Sequence, residues 1–234
     1  MTQARIVLAE DHGVVRQGVR ALLEKEPGFL VVGETADGLQ VAELAERTKA
    51  DVLVLDLVMP GLGGLDVARQ VVRRSPRTRI VILSMHASEA FVVQAFRSGA
   101  TAYVLKDSSA AELVRAIREV LAGRRHLSPP LSDKAIEVYM ARAKEGEVDV
   151  YERLTTRERQ VVHLAAEGLS NPAIGERLGI SPRTAQTHRA HVMEKLGLRT
   201  RKDLIVYAVG HGLLPEARGD AEPSRDARSD PEDR

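Results

Sequence analysis

Between residues 5 and 122 the chain alternates short apolar runs with segments of helical periodicity, and that alternation leaves few folds open. Runs of strand length lie at 5–9, 29–33, 52–56, 79–84 and 101–105. Between them, apolar residues recur at helical spacing over 13–25, 38–48, 64–75, 88–98 and 110–122. Strands separated by helices pair in parallel, because each crossover carries the chain back along a sheet face. The pattern therefore predicts an α/β fold: a doubly wound, five-stranded parallel sheet with helices on both faces. Val52-Leu53-Val54-Leu55 has no polar alternation, as expected of a strand covered on both sides.

In such a sheet, ligands collect outside the carboxyl ends of the strands. Arg5-Ile6-Val7-Leu8-Ala9 runs into Glu10-Asp11, and the third strand ends on Asp56, followed by Leu57-Val58-Met59-Pro60-Gly61. Ile80-Val81-Ile82-Leu83 ends on Ser84, and Thr101-Ala102-Tyr103-Val104-Leu105 ends on Lys106. Three carboxylates, a hydroxyl and an ammonium thus converge on one edge. Singly they have ordinary readings. Asp11 suits a helix cap, Ser84 a strand-end hydroxyl, Lys106 a solvated charge and Tyr103 a half-buried strand aromatic. Gly61-Leu62-Gly63-Gly64 lacks the Lys-Ser/Thr of a nucleotide-binding loop and reads as a turn entering a helix.

Ser128-Pro129-Pro130 ends the alternation, which sets a first domain at 1–126 and a partly helical linker at 127–150. A compact helical domain follows over 151–214. Thr155-Thr156-Arg157-Glu158 fits a capping box, Asn171-Pro172 and Ser181-Pro182 each fit a cap followed by a first-turn proline, and Thr200 to Asp203 fits a fourth cap. Gly168, Gly179 and Gly197 stop the first three helices, and Gly210 lies near the end of the fourth. The second and third, joined by Gly179-Ile180-Ser181, have helix-turn-helix spacing. On the third, Ala185, Val192 and Leu196 mark the core side, and His188 reads as a packing residue. Arg183, Thr184, Gln186, Thr187 and Ala190 lie outward, able to enter a major groove, with Arg189, His191, Lys195 and Asn171 placed for phosphates. Residues 151–214 carry ten Lys and Arg against six Asp and Glu, a modest basic footprint for double-stranded DNA. The tail, 215–234, lacks apolar periodicity and is expected to be disordered.

The ordered set Glu10-Asp11, Asp56, Ser84, Tyr103 and Lys106 resembles the receiver domain of bacterial two-component response regulators. With the helix-turn-helix segment, residues 4–212 resemble the NarL/FixJ subfamily, which carries a LuxR-type output domain. The resemblance implies that Asp56 accepts a phosphoryl group from a sensor histidine kinase. It implies Mg²⁺ held by Glu10, Asp11, Asp56 and the Val58 carbonyl, and phosphoryl oxygens met by Lys106 and Ser84. It further implies a rotamer switch at Tyr103 coupled to Ser84. The chemistry agrees, since a carboxylate attacks phosphate only when a cation screens their mutual repulsion. Leu204, Ile205, Ala208 and Val209 recur at helical spacing on the fourth helix; part of the set must pack on its own domain, and the remainder offers a contact for a homodimer formed on phosphorylation or DNA binding. The phosphorylated receiver would then relieve an inhibition exerted by packing over the recognition helix. The sequence departs from many receivers in having Asp107, not proline, after Lys106. The positions matching Gln186 and Ala190 are often basic in related regulators.

The remaining features narrow the function class. No membrane span and no signal pattern are expected, and the absence of cysteine excludes disulfides and thiolate metal sites, which suits a cytoplasmic protein. An aromatic content of 3% with no tryptophan argues against a base-stacking single-strand binder. An aspartyl-phosphate hydrolase needs a second Asp two residues after the first, where this chain has Val58, so no enzyme beyond self-phosphorylation and dephosphorylation is expected. A receiver acting only as a phosphate-independent interaction module has no use for the acidic pair and Lys106.

Overall fold

The computed structural model describes residues 3–131, 150–211, 213 and 214. The alternating pattern becomes strands β1 (Ala4–Ala9), β2 (Phe29–Thr35), β3 (Val52–Asp56), β4 (Arg79–Ser84), β5 (Ala102–Leu105) and β6 (His126–Leu127). The intervening helices are α1 (Gly13–Glu24), α2 (Gly38–Arg47), α3 (Gly64–Arg74), α4 (Glu89–Arg97) and α5 (Ala110–Leu121). All neighbouring strands are parallel, in the order β2-β1-β3-β4-β5-β6. Strict side-chain alternation divides the apolar runs into two cores. Val7, Leu53, Leu55, Ile80, Ile82 and Tyr103 pack with Val41, Val67, Val71, Val92 and Val93 on one face. Ile6, Leu8, Val52, Val54, Val81 and Val104 pack with Leu23, Leu113, Ile117 and Val120 on the other. Each such side chain contributes about 1.5–3 kcal/mol on burial, which accounts for the unbroken apolar run Val52–Leu55 before Asp56 in β3.

The sheet has six strands where five were expected. β6 is two residues long, too short for a periodic signal, and pairs with Ala102 and Tyr103. It is fixed by Ser128, whose buried Oγ accepts from the Leu105 N–H at 2.9 Å, and by the His126 ring, 2.8 Å from Glu112. The linker therefore starts after a sheet edge. Most of 127–150 and all of 215–234, including the expected linker helix and disordered tail, lie outside the described residues.

A 3₁₀ turn at Val150–Arg153 leads into α6 (Thr156–Ala166), α7 (Asn171–Leu178), α8 (Pro182–Lys195) and α9 (Arg201–Gly210). Val161, Leu164, Ile174, Ala185, Val192, Leu204 and Ala208 form their shared core. Reciprocal capping boxes at Thr155–Glu158 and Thr200–Asp203 open α6 and α9. Ser170, one residue before the expected Asn171, caps α7, with its side chain accepting from the Ala173 N–H. Between α7 and α8 the turn folds back on Gly175: a Cβ there would lie 2.7 Å from the Ile180 carbonyl oxygen.

Candidate functional site

The order reversal between β1 and β3 puts Glu10 and Asp11 beside Asp56, where a parallel sheet leaves a crevice. Lys106 enters from the end of β5. Its Nζ lies 2.7 Å from Asp56 Oδ2 and 2.8 Å from Glu10 Oε2, with a side chain only 10% exposed. A solvated surface charge is therefore excluded. Burial is the largest influence on Asp56 and raises its pKa, Lys106 opposes it and Glu10 adds to it, leaving the carboxyl pushed up to about 6. Burial pulls the Lys106 ammonium down, but Asp56 and Glu10 outweigh it and the net direction is up. Asp11 does not cap α1. The N-cap is His12, without a side-chain cap bond, so the Asp11 carboxylate remains in the pocket.

Ligand atoms of Glu10, Asp11, His12 and Asp56 lie within 4.8 Å of one another. Three carboxylates against one ammonium leave an excess of negative charge, and their oxygens suit a hard dication such as Mg²⁺. His12 was not expected here. Its ring Nδ1 is 2.8 Å from Asp11 Oδ1.

Ser84 and Tyr103 sit one step further in. Tyr103 is fully buried and its hydroxyl donates to the His86 carbonyl at 2.7 Å, while the His86 N–H donates to Ser84 Oγ at 3.1 Å. Both residues thus hold the segment leaving β4. Burial is the main cause that pushes the Tyr103 hydroxyl up to about 12. The Lys106–Asp107 bond is trans; among the described residues the one cis bond joins Pro129 and Pro130.

On α8, Ala185 and Val192 are buried and Leu196 half-buried, while Arg183, Thr184, Gln186, Thr187, Ala190 and His191 are exposed. His188 and Arg189 are half-buried. Thr187 donates its hydroxyl to the Arg183 carbonyl at 3.0 Å. Lys195, expected at a phosphate, has its Nζ 2.6 Å from Glu158 and so doubles as an anchor to α6. The contact set on α9 divides as its helical spacing requires, and the structure shows where. Leu204 and Ala208 are buried in the domain's own core, because that stripe faces α6, while Ile205 and part of Val209 remain outward together with Val206, 64% exposed.

Among the described residues, the receiver leaves the outward face of α8 uncovered, with Arg183, Gln186, Thr187 and Ala190 exposed. The docking face is α6, with the 3₁₀ turn before it and the end of α7. Tyr151 donates to Asp66 Oδ2 at 2.5 Å, Arg159 pairs with Asp66 Oδ1 at 2.8 Å, and Arg177 pairs with Asp37 at 2.9 Å. His163 Nε2 lies 2.8 Å from the Met59 carbonyl oxygen and Glu167 Oε1 accepts from the Gly61 N–H at 2.7 Å. A cavity of about 750 Å³ results, bounded by Asp11, Asp56, Ser84 and Lys106 from one domain and Glu167, Leu213 and Leu214 from the other. Sequence reading missed this interface. One trace of it was visible: Arg159, His163 and Glu167 recur every fourth residue, a polar stripe along α6 and its C-cap.

Residues 6–118 match the response regulator receiver domain model, and residues 152–208 match that of bacterial regulatory proteins of the luxR family. Oxygen regulatory protein NreC of Staphylococcus epidermidis is 34% identical, over 90% of this chain and 99% of its own length. A two-component response regulator of the LuxR family from Aurantimonas sp. has a solved structure that is 41% identical over 62% of this chain and all of its own, with a TM-score of 0.54. The response regulator RcsB in complex with DNA is 25% identical over 88% of this chain and 98% of its own, with a TM-score of 0.51.

Proposed function

Because the chain belongs to the response regulators that join a receiver domain to a LuxR-type DNA-binding domain, we propose that phosphorylation of Asp56 controls its binding to DNA. The observation that carries this reading is the placement of Lys106 Nζ 2.7 Å from the buried Asp56 carboxylate, in a pocket rich in negative oxygen ligands. An Asp56 oxygen attacks the phosphorus of a phosphohistidine on a sensor kinase, and the P–N bond breaks to return the imidazole. Lys106 stays beside the carboxylate and meets the charge on the transferred group, with the Ser84 hydroxyl in reach of one oxygen. Glu10, Asp11, Asp56 and the Val58 carbonyl would hold Mg²⁺, which when bound screens the repulsion between carboxylate and phosphate. Apart from forming and losing its own phosphoryl group, the protein is not an enzyme.

The outward face of α8 then reads double-stranded DNA, and the RcsB–DNA complex supports that use of the domain. Two copies on paired half-sites give the contact area that specific binding needs. No helix among the described residues is long and apolar enough to cross a membrane, which accords with action in the cytoplasm. The test is labelling by a small phosphodonor. Asp56 alone should be labelled, only with Mg²⁺, and Asp56→Asn should abolish labelling while keeping the fold. Incorporation into that variant, or full incorporation in EDTA, overturns the assignment.

A further inference from the structure

We propose that Glu167 is the residue through which the output domain senses a phosphoryl group on Asp56; this rests on the phosphoacceptor reading above. The route is the loop between β3 and α3. Within four residues it carries the Val58 carbonyl assigned to the metal, the Met59 carbonyl held 2.8 Å from His163 and the Gly61 N–H held by Glu167 at 2.7 Å. Gly63 lets α6 approach: a Cβ there would lie 3.3 Å from His163 Cε1 and 3.7 Å from Leu213 Cδ2. The loop that binds on one side is therefore gripped by the output domain on the other.

Charge gives the direction. Glu167 and Asp56 line the same cavity, where among the described residues Lys106 is the one permanent cation in the lining and already bridges Asp56 and Glu10. His163, 3.5 Å from Glu167, is occupied at Nε2 by the Met59 carbonyl, which requires the ring proton on that nitrogen. Converting the Asp56 carboxylate to an acyl phosphate adds up to about one further negative charge to this cavity. Glu167 is the output-domain group that meets it, and repulsion loosens α6 from the loop. By reciprocity, the docked output domain weakens binding at Asp56 to the same degree. Glu167 is thus a positioning residue acting through the loop. The peripheral Asp37–Arg177 pair should hold the domains together without regard to phosphate.

The chain contains no cysteine, so cysteines at Leu121 and Glu194 can be spin-labelled uniquely in the full-length protein. The inter-label distance is measured by pulsed electron resonance, with Mg²⁺ and trifluoroberyllate as the phosphoryl mimic, whose binding ¹⁹F NMR reads separately. The doubly labelled parent should pass from a compact population to a longer, broader one on binding the mimic. Glu167→Gln, which keeps an acceptor for Gly61, should stay compact at saturation and bind the mimic at least about fivefold more tightly. Arg177→Ala should enlarge the open population with and without mimic, leaving the mimic-driven increment intact. Opening of Glu167→Gln to the parent's extent, its opening before any mimic is added, or a parent that binds the mimic and stays compact overturns the proposal. A parent giving no bound ¹⁹F signal instead overturns the phosphoacceptor reading itself.

Discussion

Asp56 is buried, with Lys106 opposing and Glu10 adding to the cost of its charge, and this has a thermodynamic consequence. Its pKa is raised from 3.8 to about 6, so the folded state binds the proton more tightly than the unfolded chain. The associated stability is complete below about pH 4 and is lost as pH rises through 6. At about 1.36 kcal/mol per unit, the metal-free protein carries up to about 3 kcal/mol of this penalty at neutral pH. In EDTA at pH 7, Asp56→Asn should therefore be more stable than the parent by about 1–3 kcal/mol, with the difference vanishing near pH 4. Urea unfolding at the two pH values checks it. Mg²⁺ should narrow the gap by stabilising the parent. Tyr103 makes a second residue-scale expectation. Tyr103→Phe removes the hydroxyl that holds the His86 carbonyl at 2.7 Å and should cost about 0.5–1.5 kcal/mol, because that bond is part-buried and the carbonyl can turn to water.

Helix α8 separates positioning from reading. Gln186 and Thr187 are exposed on its outward face, so replacing either with Ala should relax base preference at one position by about 1–3 kcal/mol. Arg189→Ala should weaken binding to every sequence and reduce the salt slope. Binding-site selection at two ionic strengths checks both. Helices such as this one were legible because their ends carry chemistry: Ser181 caps α8 through the Thr184 N–H, and the Thr155–Glu158 box opens α6. The inner strands β1, β3, β4 and β5 were legible because their apolar runs are largely buried on both faces, and the edge strand β2, with Leu30 exposed, from the short run Phe29-Leu30-Val31-Val32. β6 was not, since a two-residue strand has no period and depends on the distant Leu105–Ser128 bond. Of the pocket, Glu10, Asp11, Asp56, Ser84 and Lys106 were readable as strand-end polar groups. His12 was hidden, because a residue opening a helix gives no sign of which neighbouring carboxylate it will meet. Asp66 was hidden too: a first-turn acid on α3 looks like an ordinary partner for the helix dipole until Tyr151 and Arg159 are seen against it.

For the whole molecule, the exposed reading face shifts attention from masking toward pairing. If two copies must align their output domains through α9, the docked receiver limits how those domains can turn, even while α8 stays open to solvent. Val206, 64% exposed beside Ile205, offers the outward apolar contact. Val206→Asp should reduce cooperative binding to paired half-sites and leave affinity for a single half-site unchanged, as gel shifts on the two probes would show. The pairing surface was only half readable from sequence. Helical spacing puts Leu204, Ile205, Ala208 and Val209 on one broad side, but only the position of α6 decides that Leu204 and Ala208 turn inward.

The docking of α6 onto the β3–α3 loop also separates two things that a sequence presents as one: how the domains are tied and how they communicate. The peptide chain joins them between residues 131 and 150, yet the contacts that link Asp56 to the output domain run from Met59 and Gly61 to His163 and Glu167, residues about a hundred positions apart. The covalent link then sets the effective concentration of one domain at the other, while these contacts carry the message. Natural or engineered variation there should change how often the domains meet while leaving intact the message passed when they do.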